Sequence, residues 1–158
     1  MLFVCLGNIC RSPMAEGLMR HKIMHAGLGR QVQVDSAGFE SFHFGDPPDA
    51  RAMAVCRQHG IDISSHRARP FRPEDFDVHE MIYVMDSNNY TDVIAVSRNQ
   101  SDRAKVDFLM NAVNPGSKAA VPDPWYGGRQ DFEKVYCLLD EATDCLLKLI
   151  TRKLGDNE

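Results

Sequence analysis

The sequence predicts an α/β fold, a parallel sheet with helices on both faces in a three-layer sandwich. Three observations point there. The short apolar runs Met1 to Val4 and Met81 to Met85 lack the polar alternation of half-exposed strands. Stretches of ten or more residues with apolar side chains at helical spacing separate the runs. Gly- and Pro-punctuated loops join these segments, with no repeat, low-complexity tract or linker to divide residues 1–158 into more than one domain.

Met1 to Val4 reads as a buried first strand that stops at Cys5. Pro13 sits where a first helical turn tolerates it, and Met14 to Leu28 follows as a helix. Leu18, Met19, Ile23 and Met24 form its apolar face, and Gly27 and Gly29 its end. Gln31 to Asp35 (QVQVD) alternates as a second strand does, and Gly38 to Pro48 reads as a loop. A helix from about Asp49 to His59 is closed by Gly60. Met81 to Met85 is the third strand, and Ser87 caps a helix running to Asn99. Val106 to Met110 is the fourth strand, followed by a long loop from Asn111 to Arg129. The last helix, Asp131 to Lys153, sends Phe132, Val135, Tyr136, Leu139, Leu146, Leu147 and Ile150 into the core. Ligands of such sheets sit at the carboxyl ends of the strands, beside a topological switch point. That rule singles out Cys5, Asp35–Ser36 and Asp86.

Composition excludes several classes. The chain has 44% apolar and 25% charged residues, which is globular rather than disordered. A net charge of −4 argues against a nucleic-acid partner. No apolar run approaches the roughly 20 residues of a membrane span, and the first residues lack the basic start of a secretory signal. Five cysteines, an odd number, point to reduced thiols and a cytoplasmic setting.

The most informative segment is Cys5-Leu6-Gly7-Asn8-Ile9-Cys10-Arg11-Ser12, between the first strand and the first helix. A loop entering a helix aims successive backbone N–H groups at one point, beside the positive end of the helix dipole. Gly7 and Asn8 are residue types that accept the left-handed backbone such a nest requires. The result suits a tetrahedral dianion, and Arg11 can grip two of its oxygens at once. The same field favours the thiolate of Cys5, with Ser12 placed to donate to it, so the segment predicts a nucleophile beneath a bound phosphoryl group. Displacing an alkoxide or phenolate then calls for an acid. Asp123, in the Pro-bounded segment Val121-Pro122-Asp123-Pro124-Trp125-Tyr126-Gly127-Gly128, is the candidate, and Trp125 and Tyr126 offer flat surfaces for an aromatic ring.

The whole chain resembles the low-molecular-weight protein tyrosine phosphatases. The resemblance rests on V-C-L-G-N-I-C-R-S-P-M-A-E at 4–16, D-S-A-G at 35–38, H-G-I-D at 59–62, M-D-S-N at 85–88 and D-P-W-Y-G at 123–127. It implies a phosphatase-I-like sheet of four parallel strands in the order 2-1-3-4. It also implies hydrolysis of phosphotyrosine through a phosphocysteine on Cys5, with Arg11 and the amides of residues 6–12 holding phosphate. Asp123 would be acid and then base, with no metal and no cofactor. By the same resemblance, Asn8 and Ser36 brace the loop, His66 and Asp86 support it from behind, and Cys10 is a disulfide partner for Cys5. Phe42 stands where family members often have tryptophan, on the wall of the cleft, and Ala50 stands where many have proline. The implied partner is a phosphotyrosine-containing protein, a bacterial tyrosine kinase among the candidates, and the chain itself is expected to be a monomer or weak homo-oligomer. Three rivals fit less well. An arsenate reductase of this fold needs further cysteines after the third strand, and residues 86–100 hold none. The related arginine phosphatases usually carry threonine where Ile9 stands, and a non-catalytic phosphopeptide binder would lack Cys5, Arg11 or Asp123.

Overall fold

The computed structural model describes residues 1–157. Four strands, β1 (Leu2–Val4), β2 (Asp35–Ala37), β3 (Ile82–Val84) and β4 (Val106–Phe108), form one parallel sheet in the order β2-β1-β3-β4. The register pairs Leu2 with Asp35 on one side and with Ile82 on the other, and Ile82 with Val106. Six α-helices cover it: α1 (Arg11–His25), α2 (Ala50–Gln58), α3 (Asp75–Val78), α4 (Ser87–Val96), α5 (Gln100–Arg103) and α6 (Arg129–Gly155).

The period-two geometry of the central strands builds the layers. Leu2, Val4, Ile82 and Val84 face one buried cluster with Phe71, Phe76 and Val93. Phe3, Cys5, Tyr83 and Met85 face the other, with Met14, Leu18 and Met19 of α1 and Phe132, Leu139 and Leu146 of α6. β1 and β3 are buried on both faces, as their unbroken apolar runs require. Helix α6 is amphipathic as expected, except that Leu147 is only half-buried. Among the described residues, no helix is long and apolar enough to cross a membrane.

Several element boundaries differ from the sequence expectation. The second strand is Asp35–Ala37, not Gln31–Asp35: register with Leu2–Val4 fixes it later in the chain. Val32 and Val34 of the alternating run are half-buried and pack against the core from an irregular approach. Helix α1 begins at Arg11, three residues earlier than expected. Pro13 is its third residue, where no helical N–H is needed. Asp86, not Ser87, caps α4, accepting from Asn89 N at 2.9 Å. The single helix expected to reach Asn99 is two, because the chain turns extended at Ser97 and Asn99 starts α5 with a new cap. The fourth strand ends at Phe108, and a 3₁₀ turn takes Leu109–Ala112. Helix α3 and the 3₁₀ turn Ser41–His43 were not foreseen.

Candidate active site

At the carboxyl edge of the sheet, β1 runs out at Cys5 and the chain loops to α1. Three carbonyls of this loop are held from outside. Leu6 O accepts from Phe39 N at 2.8 Å and Glu40 N at 2.9 Å, and Ile9 O accepts from Asp49 N at 2.8 Å. Asn8 O accepts from His66 Nε2 at 3.0 Å. All peptides among the described residues are trans, so each N–H points opposite to the preceding carbonyl. Anchoring those carbonyls outward therefore turns the N–H groups of Gly7, Ile9 and Cys10 inward. Among the described residues, no protein acceptor takes the backbone N–H of residues 6–12, and α1 starts without a side-chain cap. A cluster of uncommitted donors at a helix N-terminus is an anion site.

Asn8 holds this shape. Its φ of 55° is left-handed, and its fully buried amide is used on both sides. Nδ2 donates to Ser12 Oγ at 2.8 Å and Ser36 Oγ at 2.9 Å, while Oδ1 accepts from Arg69 N at 3.0 Å. Since Oδ1 must face an N–H and Nδ2 two hydroxyls, the amide orientation is fixed. Ser12 Oγ lies 2.9 Å from Cys5 Sγ. Because that oxygen already accepts from Asn8, its own hydrogen is left for the sulfur.

Arg11 is 2% exposed and its guanidinium is firmly placed. Nη1 donates to Asp86 Oδ2 at 2.7 Å and Val121 O at 3.0 Å, and Nη2 to Asp123 Oδ2 at 3.4 Å. Burial alone would depress its pKa, but Cys5 and then Asp86 and Asp123 outweigh that and push it up. Asp86 thus serves twice, one oxygen capping α4 and the other holding Arg11. His66 donates through Nε2 to the Asn8 carbonyl, which cannot donate in return, and its Nδ1 lies 3.5 Å from buried Glu16. Cys10 is buried at the head of α1. Burial, and next the Asp49 carboxylate, push its thiol far above its usual range.

Above this floor opens a cleft of about 320 Å³, with Cys5 and Arg11 in its lining and Leu6, Ile9, Phe42, His43, Trp125 and Tyr126 along its sides. Phe42 is 82% and Tyr126 98% exposed, so both stand at the mouth. Asp123 also lines the cleft, its side chain 43% exposed and one oxygen fixed by Trp125 N at 3.1 Å. The structure thus gathers Cys5, Arg11, Phe42, Asp123, Trp125 and Tyr126 around one cleft and sets Ser36, His66 and Asp86 behind it. Ala50 begins α2 and does not line the cleft. Among the described residues, no group of three or more His, Cys, Asp or Glu side chains is placed to hold a metal ion.

Sequence reasoning missed His43, whose ring lies between Phe42 and Trp125 at centroid distances of 5.1 and 5.4 Å. It also missed Arg69, Glu16 and Arg51. Nothing local marks the first three. Asp49-Ala50-Arg51 did carry a signal, an acidic helix cap with a basic partner two residues on.

Fold and loop together define an oxyanion site built around a cysteine at the switch point of a parallel α/β sheet. Residues 1–156 match the family described as low molecular weight phosphotyrosine protein phosphatase. The chain belongs to this family. It is 41% identical over 150 residues to the low molecular weight phosphotyrosine protein phosphatase of Schizosaccharomyces pombe, covering 94% of this chain and 95% of that one. Among solved structures, a protein tyrosine phosphatase from Entamoeba histolytica superposes with a TM-score of 0.87 at 35% identity, over 98% of this chain and 97% of the other. Vibrio vulnificus Wzb, in complex with benzylphosphonate, superposes with a TM-score of 0.81 at 25% identity, covering 93% and 95%.

Proposed function

We propose that this protein hydrolyses phosphotyrosine, and small aryl phosphates, through a phosphocysteine on Cys5. The phosphoryl oxygens sit among the amides of residues 6–12 and the Arg11 guanidinium, placing phosphorus above the sulfur. Cys5 attacks as the thiolate: the S–P bond forms as the P–O bond to the phenol breaks, and Asp123 gives its proton to the departing oxygen. Asp123, now a carboxylate, takes a proton from water. That water attacks phosphorus, the S–P bond breaks, and the thiolate and inorganic phosphate are released. No step calls for a metal or cofactor. Ser12 stabilises the sulfur anion in both steps, and Cys10, kept protonated, is available as a disulfide partner for an oxidised Cys5.

The single observation that carries this reading is that Asp123 and Cys5 share one cleft, with Arg11 bonded to the acid. The aromatic and aliphatic walls favour an aryl ester over a short alkyl one, and the Wzb ligand is likewise a benzyl group on phosphorus. The partner is accordingly a protein bearing phosphotyrosine. The test is turnover of para-nitrophenyl phosphate and phosphotyrosine in chelator. Cys5→Ser should abolish it. Asp123→Ala should cost about 10²–10⁴-fold with a phenyl-type leaving group and much less with an acidic one. An unaltered rate for Cys5→Ser refutes the nucleophile, and equal losses with both leaving groups refute the proton donor.

A further inference from the structure

We infer that Arg51 is a positioning residue for the proton donor, tying the segment that carries Asp123 to the phosphate loop. The inference rests on the reading of Asp123 as the acid. Asp49, the cap of α2, donates its backbone N–H to Ile9 O in the phosphate loop at 2.8 Å. Its carboxylate receives Arg51 three times: from the backbone N at 2.8 Å, from Nε at 3.0 Å and from Nη2 at 3.0 Å. The guanidinium then reaches across the cleft wall. Nη1 donates to Gly127 O at 2.9 Å and Nη2 to Trp125 O at 3.1 Å. Its carbon lies 4.5 Å from the centroid of the Phe132 ring and 5.8 Å from that of Trp125, which adds cation–π attraction.

The other hydrogen bonds of the segment show why this matters. The Trp125 N–H turns back to Asp123, and the Gly127 N–H to Pro124 O. Among the described residues, every hydrogen bond between 124–127 and the rest of the chain beyond Asp123 comes from Arg51. The Asp123 carboxylate is meanwhile held, among the described residues, only by Trp125 N and a long 3.4 Å contact to Arg11. Holding the Trp125 carbonyl thus fixes the peptide whose neighbouring N–H aims the acid. Arg51 is not a second phosphate ligand: four of its five guanidinium N–H groups go to Asp49 and the two carbonyls, and the residue does not line the cleft. A lysine could not serve, because one point charge cannot meet a carboxylate and two carbonyls in a planar fork.

The test uses Arg51→Met, which keeps apolar bulk over Phe132, and Arg51→Lys, each alone and in the Asp123→Asn background. kcat/KM is measured for aryl phosphates of graded leaving-group acidity, together with inhibition by inorganic phosphate. Arg51→Met should lose roughly 10–100-fold with phenyl phosphate, as expected for an acid displaced by a fraction of an ångström to an ångström. The loss should be several-fold smaller with the most acidic leaving group. Phosphate inhibition should change by less than about twofold, and Arg51→Lys should behave as Arg51→Met. In the Asp123→Asn background, Arg51→Met should add almost nothing, since it acts through the missing carboxyl. A loss that is uniform across leaving groups, additive with Asp123→Asn, or accompanied by weakened phosphate binding overturns the inference. If Asp123→Asn itself shows no dependence on the leaving group, the acid assignment fails, and this inference with it.

Discussion

Adding one methyl group at Gly38 tests how the phosphate loop is held. Gly38 follows β2 directly, and a Cβ there would stand 2.8 Å from Leu6 O, 2.9 Å from Asn8 Cβ and 3.0 Å from Asn8 N. Ordinary carbon–oxygen contacts begin near 3.3 Å and carbon–carbon contacts near 3.5 Å, so the shortfall is roughly half an ångström. Gly38 cannot back away, because its N–H donates to Arg69 O at 2.9 Å and its carbonyl accepts from Phe71 N at 2.7 Å. Its φ is not left-handed, so Gly38→Ala adds volume without backbone strain, and the loop must yield. Overpacking of this kind costs about 1–3 kcal/mol, which in a chain of this length lowers the melting temperature by roughly 2–12 °C. Reactive groups need placement within about 0.5 Å, so kcat/KM should fall by roughly 10-fold or more and inhibition by phosphate should weaken in step. Calorimetry and steady-state assays with para-nitrophenyl phosphate measure both. An unchanged melting temperature would refute the packing argument. A lowered one with intact phosphate inhibition would show that the strain is absorbed away from the loop.

Two further perturbations bear on the same framework. Asn8→Ala removes three buried side-chain hydrogen bonds and leaves alanine at a φ of 55°, a loss of roughly 3–5 kcal/mol; urea unfolding should show Asn8→Gly about 1 kcal/mol more stable than Asn8→Ala, and equal stabilities would mean the backbone there is unstrained. Asp35 and Asp49 are both held below the usual carboxylate range. Burial opposes this in each, but Arg69 outweighs it at Asp35 and Arg51 at Asp49. A folded pKa below the unfolded one gives stability that is complete above about pH 4 and lost as pH falls through the folded value. The melting temperature should therefore drop below pH 4, and Asp35→Asn should flatten that drop; an identical slope in the variant would contradict the assignment.

The loop from Cys5 to Ser12 and the acid at Asp123 were legible because each is a short run whose residue types have a local meaning. A thiol beside a helix start, a pair of residues tolerant of positive φ, and a carboxyl between prolines all announce themselves. The buried strands β1 and β3 followed from unbroken apolar runs, whereas the sheet order came from the family resemblance. What stayed hidden depends on distant partners. QVQVD alternates as strands do, yet pairing with β1 goes to the short Asp35–Ala37 instead, because depth in the core outranks pattern. Arg69 illustrates the same limit. It bridges Asp35 and Asp75 while its backbone N–H fixes the Asn8 amide, and none of these is within five residues of it. Arg51 and Trp125 are as far apart in sequence and as close in space.

The carbonyls around the anion-binding loop are gripped by residues 39–40, 49 and 66, three parts of the molecule's first half that meet only once the sheet has formed. An octapeptide cut from this chain, or grafted onto another scaffold, would carry the right letters and no cradle. Phosphate affinity is consequently a gauge of whole-molecule assembly: on denaturation the cradle should vanish together with the core, with no separate earlier melt of its own.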